Sequence, residues 1–165
     1  MIRIMFVCHG NICRSPMAEF ICRKMAAERG LRDQLFFDSS ATSTEEINYN
    51  GVGNPVYPPA KRELAKNKIP TEEREAVQLK ASDYTEYDLF IGMDSANIRN
   101  MLRIFSSDPE GKVKKLLSFA GKDADVSDPW YSDRFDIAFS DISEGCIALL
   151  EHLIKAKATT SHFTK

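Results

Sequence analysis

The stretch MIRIMFVCHGNICRSPMAE, residues 1–19, changes from a strand pattern to a helix pattern across one short loop. Residues 2–7 form an apolar run typical of a buried strand. Ser15-Pro16 is typical of a helix start, because proline is well tolerated at the first helical position. A cysteine, a loop with glycine and asparagine, and an arginine lie between the two patterns. The stretch therefore predicts a strand, a tight loop and a helix in direct succession, as at the beginning of a βαβ unit.

The rest of the chain repeats this alternation of strand and helix. The further strand-like runs cover residues 35–37, 89–93 and 113–119, and the helical segments cover residues 60–67, 94–105 and 135–153. Such an alternation predicts an α/β fold, a three-layer open sheet of about four parallel strands with helices on both faces. Sheets of this kind bind ligands at the carboxyl ends of their strands, which is where Cys8 stands.

The length and composition fit one globular domain. The chain has 165 residues, of which 43% are hydrophobic and 28% are charged, so one hydrophobic core can form. No repeat, charge block or linker interrupts the pattern. We expect residues 1–157 to form the domain and residues 158–165 to form a frayed C-terminal tail.

Neither a membrane nor nucleic acid is an expected partner. The longest apolar stretches are shorter than the ~20 residues that span a bilayer, and the N-terminal run lacks the length and the cleavage site of a signal peptide. The net charge is −2, and the scattered lysines and arginines form no basic stripe of the kind that binds nucleic acid. We therefore expect a cytoplasmic protein.

The cysteines indicate neither a disulfide framework nor a zinc site. The sequence has no Cys-x-x-Cys pair and no histidine at zinc-finger spacing. We expect reduced thiols and no metal ion. The four cysteines are Cys8, Cys13, Cys22 and Cys146.

The loop between Cys8 and Arg14 is predicted to bind phosphate. It leads into a helix N-terminus, where unpaired N–H groups and the positive end of the helix dipole favour an anion. Gly10 and Asn11 tolerate the positive φ that a curled loop requires, and Arg14 can hold two oxygens at once. The predicted phosphate-binding residues are His9, Gly10, Asn11, Ile12, Cys13, Arg14 and Ser15.

Cys8 is the predicted nucleophile. A single cysteine after a strand is usually a small buried hydrophobe. Here the positive field of the loop favours the thiolate form. The pattern Cys-x5-Arg-Ser, placed after a strand and before a helix that starts with proline, is also the context that a phosphate loop requires. We therefore predict that the Cys8 sulfur attacks phosphorus.

The segment CHGNICRSPMAE, residues 8–19, resembles the signature of the low-molecular-weight protein tyrosine phosphatases. The resemblance continues through residues 38–43, 87–88, 93–94 and 128–131, so it covers nearly the whole chain. It implies a phosphatase that acts without a metal or other cofactor and forms a cysteinyl-phosphate intermediate. It also implies tyrosine-phosphorylated proteins or peptides as substrates, with phosphate as product and inhibitor.

Asp128 is the predicted general acid. A phenolate that leaves a phosphate ester needs a proton, and the proline after Asp128 keeps the chain extended there. An acidic surface turn is the alternative interpretation of this residue taken by itself. The resemblance implies that Asp128 is first the acid and then the base that activates water. The predicted catalytic residues are Cys8, Arg14 and Asp128, and the neighbouring acids Asp123, Asp125 and Asp133 are expected to be solvated.

Four residues are predicted to support the loop. Ser15 donates a hydrogen bond to the Cys8 sulfur or caps the first helix, and the two roles are compatible. By resemblance, Asn11 holds the strained loop through contacts that include Ser39. Asp94 is predicted to cap the third helix, with a role in tuning the site as the alternative.

The substrate pocket is predicted to have apolar and aromatic walls. Trp130 and Tyr131 are expected to flank a substrate ring, and Ile12 and Tyr49 are further wall residues. The chain departs from the family at one supporting position. Family members often have a histidine before the third strand that supports the loop asparagine, where this chain has TEER at residues 71–74.

Two other activities share this loop and fold. Protein-arginine phosphatases tend to have threonine where this chain has Ile12, so the isoleucine and the aromatic pair favour phosphotyrosine. An arsenate reductase needs resolving cysteines downstream of the loop, and only Cys146 follows Cys22. A non-catalytic phosphate- or flavin-binding module would need neither Cys8 nor Asp128.

Cys13 is a candidate partner for Cys8 in redox chemistry. An accessible thiolate is prone to oxidation to sulfenic acid, which a neighbouring thiol traps as a disulfide. We therefore expect Cys8 and Cys13 to form a reversible redox pair. The alternative is that Cys13 merely packs beneath the loop.

Overall fold

Four parallel strands form the central sheet of the computed structural model, which describes residues 1–162. The strands are β1 Ile2–Cys8, β2 Leu35–Ala41, β3 Leu89–Gly92 and β4 Val113–Lys115, in the spatial order β2-β1-β3-β4. β2 lies on one side of β1, and β3 and β4 lie on the other. The carboxyl end of β1 is therefore the topological switch point, where open α/β sheets bind their ligands. The predicted sheet is confirmed.

Helices cover both faces of this sheet. They are α1 Arg14–Glu28, α2 Pro58–Lys66, α3 Ser95–Phe105, α4 Pro129–Ser132 and α5 Phe135–His162. Ile4 and Phe6 of β1 belong to the larger core, to which α1, α2 and α5 contribute. Met5 and Val7 belong to a smaller core beneath α3. The alternation follows from the two-residue period of a strand, and it confirms the predicted three layers.

The fourth strand is shorter than predicted and the second is longer. β4 ends at Lys115, and the apolar run that was predicted as strand to residue 119 continues as a 3-10 turn over Leu116–Ala120. Leu116 is fully buried against Gly145 of α5, where an added Cβ would lie 2.5 Å from the leucine Cγ. This run therefore packs beneath α5 instead of extending the sheet. β2 continues to Ala41 because it pairs with β1 along its whole length.

The last helix is longer than predicted. α5 continues to His162, so residues 158–162, which the sequence analysis placed in a frayed tail, are helical. Residues 163–165 of that tail lie outside the described residues. Within residues 1–162, no helix is both long and apolar enough to cross a bilayer.

Candidate active site

Cys8 is the last residue of β1, at the start of the loop that leads into α1. Its side chain is buried, with 3% of the residue exposed. The Sγ atom lies 3.0 Å from Ser15 Oγ and accepts a hydrogen bond from the N–H of Asn11 at 3.3 Å. Ser15 is the second residue of α1 and not its N-cap. The fold thus brings a hydroxyl and a backbone N–H to one sulfur atom.

The loop turns at Asn11. This residue has a φ of 60°, in the left-handed region that asparagine tolerates better than most residues. Gly10 was predicted to share this role, but it has no positive φ. An added Cβ at Gly10 would lie 3.0 Å from Glu46 Cγ. The glycine therefore accommodates the close approach of the Glu46 side chain, and its backbone conformation does not call for glycine.

Arg14 is a buried cation held in one orientation. Its guanidinium donates to Asp94 Oδ2 at 2.7 Å and to the Val126 carbonyl at 2.8 Å. Asp94 also caps α3 through its other carboxylate oxygen, as predicted. Burial opposes the charge of Arg14, but the negative groups around it, Cys8 first, raise the pKa above its usual value. The guanidinium therefore stays charged.

Asp128 reaches the same guanidinium from a position 114 residues later in the chain. Its Oδ2 lies 3.4 Å from Nη2 of Arg14. Its Oδ1 accepts the N–H of Trp130 at 3.0 Å, which caps α4. Residue 128 is extended, as predicted, but the chain does not stay extended after it, because Pro129 opens the short helix α4. Tertiary folding thus places the predicted acid beside the Cys8 loop.

A buried hydrogen-bond network lies behind the loop. Asn11 Nδ2 donates to Ser15 Oγ at 2.8 Å and to Ser39 Oγ at 3.0 Å. Ser39 Oγ donates in turn to Glu19 Oε1 at 2.7 Å. Each of these four residues is at most 2% exposed. The expected contact between Asn11 and Ser39 is present, and it belongs to a larger network.

Arg74 completes this network, and the sequence analysis missed its role. Its guanidinium donates to Asn11 Oδ1 and to Ser39 Oγ, and it pairs with Glu19 at 3.2 Å. Burial raises the pKa of Glu19, and the charge of Arg74 acts against that rise. The available signal was the stretch at residues 71–74, where relatives often have histidine. Here an arginine provides the donors from that stretch.

Ten of the predicted site residues line one cavity of about 120 Å³, whereas Ser15, Ser39, Asp94 and Tyr49 do not. Tyr49, a predicted wall residue, is 97% exposed and does not line it. Glu45 and Glu46 line the cavity from this segment instead, and Glu45 Oε2 lies 2.9 Å from His9 Nε2. The lining residues are Cys8, His9, Gly10, Asn11, Ile12, Cys13, Arg14, Glu45, Glu46, Asp128, Trp130 and Tyr131.

Tyr57 is a second residue that the sequence analysis missed. Its ring packs against Trp130, with 4.9 Å between the ring centroids, and its N–H donates to the Ile12 carbonyl at 2.9 Å. Trp130 is 53% exposed and Tyr131 is 85% exposed, so both side chains remain accessible at the cavity. Tyr57 therefore holds two cavity walls together. Its turn-rich sequence context contains no signal for this contact.

The site combines three kinds of chemistry in one cavity. It has a sulfur that can attack, a buried guanidinium that can hold an anion, and a carboxylate that can transfer a proton. The loop N–H groups and the N-terminus of α1 add a positive field at the same place.

Comparisons with known proteins show which family the chain resembles. The sequence profile of the low molecular weight phosphotyrosine protein phosphatases matches residues 3–159. The chain is 35% identical to YfkJ of Bacillus subtilis, named a low molecular weight protein-tyrosine-phosphatase, over 95% of this chain and 99% of that protein. It is 33% identical to the similarly named PtpA of Staphylococcus epidermidis, over 94% and 96% of the two chains.

Solved structures give the same result. The crystal structure of Bacillus subtilis YfkJ matches with a TM-score of 0.89 and 34% identity, over 95% of this chain and 97% of that chain. The Streptococcus pyogenes phosphatase SP-PTP matches with a TM-score of 0.81 and 30% identity, over 93% of each chain. These names do not favour the alternative of a protein-arginine phosphatase. The chain belongs to the low-molecular-weight protein tyrosine phosphatase family, as its loop motif indicated.

Proposed function

We propose that the protein hydrolyses phosphotyrosine in proteins, and small aryl phosphates, through a cysteinyl-phosphate intermediate on Cys8. The observation that carries this proposal is the convergence of Cys8, Arg14 and Asp128 on one cavity, with Asp128 Oδ2 3.4 Å from the guanidinium. Phosphate is then both the product and an inhibitor, because it binds the same loop.

In the first step, the Cys8 thiolate attacks phosphorus and the bond to the phenolic oxygen breaks. Asp128 gives its proton to that oxygen, so the leaving group departs as a phenol. Arg14 and the loop N–H groups hold the phosphoryl oxygens as charge moves onto them. Because Asp94 and Val126 already fix the guanidinium, little reorganisation is needed during the reaction.

In the second step, water attacks the phosphorus of the intermediate while Asp128 accepts its proton, and Cys8 leaves as a thiolate. Ser15 Oγ already accepts a hydrogen bond from Asn11 Nδ2. The hydroxyl proton of Ser15 is therefore available to the Cys8 sulfur, which lies 3.0 Å from Ser15 Oγ. Arg74 sets the direction of these hydrogen bonds. It donates to Asn11 Oδ1, so the NH₂ group of Asn11 faces Ser15. The network thereby stabilises the departing thiolate.

The proposed substrates are phosphoproteins, and we place the activity in the cytoplasm. All four cysteines are unpaired in the structure, as a reducing compartment favours. Rapid quenching during turnover, followed by mass spectrometry, tests the proposal directly. A phosphate group on Cys8 supports it, whereas phosphate transfer to another side chain contradicts it.

Substrate choice is expected to follow the cavity walls. Phosphotyrosine should rank first by kcat/KM, phosphoarginine second and phosphoserine last. An aromatic ring gains about 0.5–1.5 kcal/mol against each aromatic wall, and phosphoserine is too short to reach it. Replacing Ile12 with threonine should narrow the gap between the first two, because a hydroxyl can accept a guanidinium hydrogen bond. Assays on peptides that differ only in the phosphorylated residue measure this order, and a preference for phosphoarginine overturns it.

Cys8 and Cys13 are proposed to form a disulfide after oxidation by peroxide. Peroxide converts the Cys8 thiolate to sulfenic acid, and the Cys13 thiol then forms the S–S bond with release of water. Burial raises the pKa of Cys13, and the charges of Cys8 and Asp128 raise it further. Cys13 is therefore mostly protonated at neutral pH, and the second reaction should speed up towards alkaline pH, where more of its thiolate forms.

Mass spectrometry after a brief peroxide pulse at several pH values measures this reaction. A Cys8–Cys13 link that dithiothreitol removes, with recovery of activity, is the expected result. In Cys13→Ser, which has no thiol to trap the sulfenic acid, the same pulse should leave more sulfinic and sulfonic acid on Cys8, so dithiothreitol should restore less activity than in the unmodified protein. Equal recovery in the two proteins, or only sulfonic acid on Cys8 of the unmodified protein, contradicts the pairing.

A further inference from the structure

The segment that carries Asp128 is attached to the fold near Val126. Residues 121–128 contain no helix or strand. The Val126 N–H donates to the Met93 carbonyl at 2.9 Å, and the Val126 carbonyl accepts from Arg14 at 2.8 Å. The position of Asp128 therefore depends on contacts made close to Val126.

Asp125 makes such contacts with its side chain. Its Oδ1 accepts from the Ser95 N–H at 3.1 Å, from Ser95 Oγ at 3.2 Å and from Lys115 Nζ at 3.0 Å. Asp125 was expected to be solvated; its side chain is 49% exposed, but it also has these hydrogen-bond partners. Burial opposes its charge, but the hydrogen bonds from Lys115 and Ser95 hold its pKa below the usual value. Asp125 is therefore ionised at neutral pH.

The partner of Asp125 belongs to the segment that orients Arg14. Ser95 is the first residue of α3, and the residue before it, Asp94, caps α3 and holds the guanidinium. Asp125 thus joins the segment that carries the acid to the segment that holds the phosphate-binding arginine. A carboxylate at the N-terminus of α3 also interacts favourably with the helix dipole.

We propose that Asp125 is a positioning residue. It holds Asp128 in its place beside Arg14, from which Asp128 transfers a proton to the leaving group. The proposal rests on the proposed phosphatase function. The Asp125 side chain is 49% exposed, so its ion pair contributes little to the stability of the fold. A small displacement of a catalytic group nevertheless has a large effect on rate.

Asp123 provides a matched control. It lies in the same segment and its carboxylate contacts the same lysine, with 3.2 Å between Lys115 Nζ and Asp123 Oδ1. Its side chain is fully exposed to solvent. Among the described contacts, Asp123 has none with Ser95. Its removal therefore takes a carboxylate away from Lys115 but leaves the contact between Asp125 and Ser95 of α3 in place.

The test compares leaving groups. Asp125→Ala should lower kcat/KM about tenfold for phenyl phosphate but less than about threefold for 2,4-dinitrophenyl phosphate, whose leaving group needs no proton. Asp123→Ala should change either value less than about twofold. Asp125→Asn should recover most of the phenyl phosphate activity, because its amide oxygen still accepts from Ser95.

Ser95→Pro removes the partner instead of Asp125. Proline suits the first position of α3, and Asp94 before it is extended, with φ −144° and ψ 173°. The variant should therefore fold, lose the N–H and hydroxyl donors, and reproduce the leaving-group dependence of Asp125→Ala. It decides the question even where Asp125→Ala does not fold.

An equal loss with both esters, or an Asp123→Ala effect as large as that of Asp125→Ala, overturns the positioning role. So does unchanged activity of Ser95→Pro with phenyl phosphate. Failure of the proposed function gives a different result, because the unmodified protein would then hydrolyse neither ester.

Discussion

Replacing Cys8 with serine is expected to abolish turnover of aryl phosphates, lowering kcat by a factor on the order of 10⁴ or more. A hydroxyl is a much weaker nucleophile than a thiolate. The groups that hydrogen-bond to the Cys8 sulfur, Ser15 Oγ and the Asn11 N–H, provide no base that could activate a serine hydroxyl. Steady-state hydrolysis of p-nitrophenyl phosphate measures the loss.

Phosphate binding shows whether Cys8→Ser has lost only its nucleophile or has a damaged site. Serine is close to cysteine in size, and Arg14 with the loop N–H groups should still hold inorganic phosphate in Cys8→Ser. Calorimetry should therefore detect phosphate binding, and circular dichroism should match that of the unmodified protein. Turnover by Cys8→Ser within tenfold of the unmodified protein would be incompatible with a cysteinyl-phosphate mechanism.

Replacing Asp128 with alanine is expected to lower the rate by roughly 10²–10⁴-fold for phenyl phosphate and phosphotyrosine, and by much less for activated esters. The alanine variant also loses the cap of α4, since Asp128 Oδ1 accepts the Trp130 N–H. Asp128→Asn keeps that cap but has no proton to transfer. Both variants should therefore show the same dependence of the rate on the leaving group.

Asp133→Asn is the control for this experiment. Asp133 follows α4 at a left-handed φ of 57°, which asparagine also tolerates, and it does not line the cavity. Its replacement should leave hydrolysis of phenyl phosphate within about twofold. Addition of EDTA should have no effect on the unmodified protein. A reversible loss of activity with EDTA, or full activity of Asp128→Asn with phenyl phosphate, would contradict the proposed roles.

The elements that were predicted well are those whose signal is local. The strand, loop and helix of residues 2–28 follow from an apolar run, a glycine and asparagine loop and a proline at the helix start. The predicted C-terminal end of β4 was wrong because periodicity indicates only that Leu116 is buried. It does not show whether the partner is a neighbouring strand or, as here, α5 at Gly145.

The predictions for the cavity walls also succeeded only where the sequence signal was local. Trp130 and Tyr131 follow Asp128 closely in sequence, after Pro129, and line the cavity with it. The prediction for Tyr49 assumed that an aromatic residue in the right segment faces the site, yet the loop places Glu45 and Glu46 there and leaves Tyr49 exposed. Within a loop, side-chain direction depends on backbone turns that composition does not specify.

By itself, the sequence determined the family, the parallel sheet and the position of the loop between Cys8 and Arg14, because that loop is one contiguous stretch with a local signal. Only the tertiary structure decided how the loop is held. Arg74 contacts Asn11 across 63 positions, and the Val126 carbonyl contacts Arg14 across 112. A surface acid and a buried support look alike in sequence, because a side chain acquires its partners only when distant segments pack together.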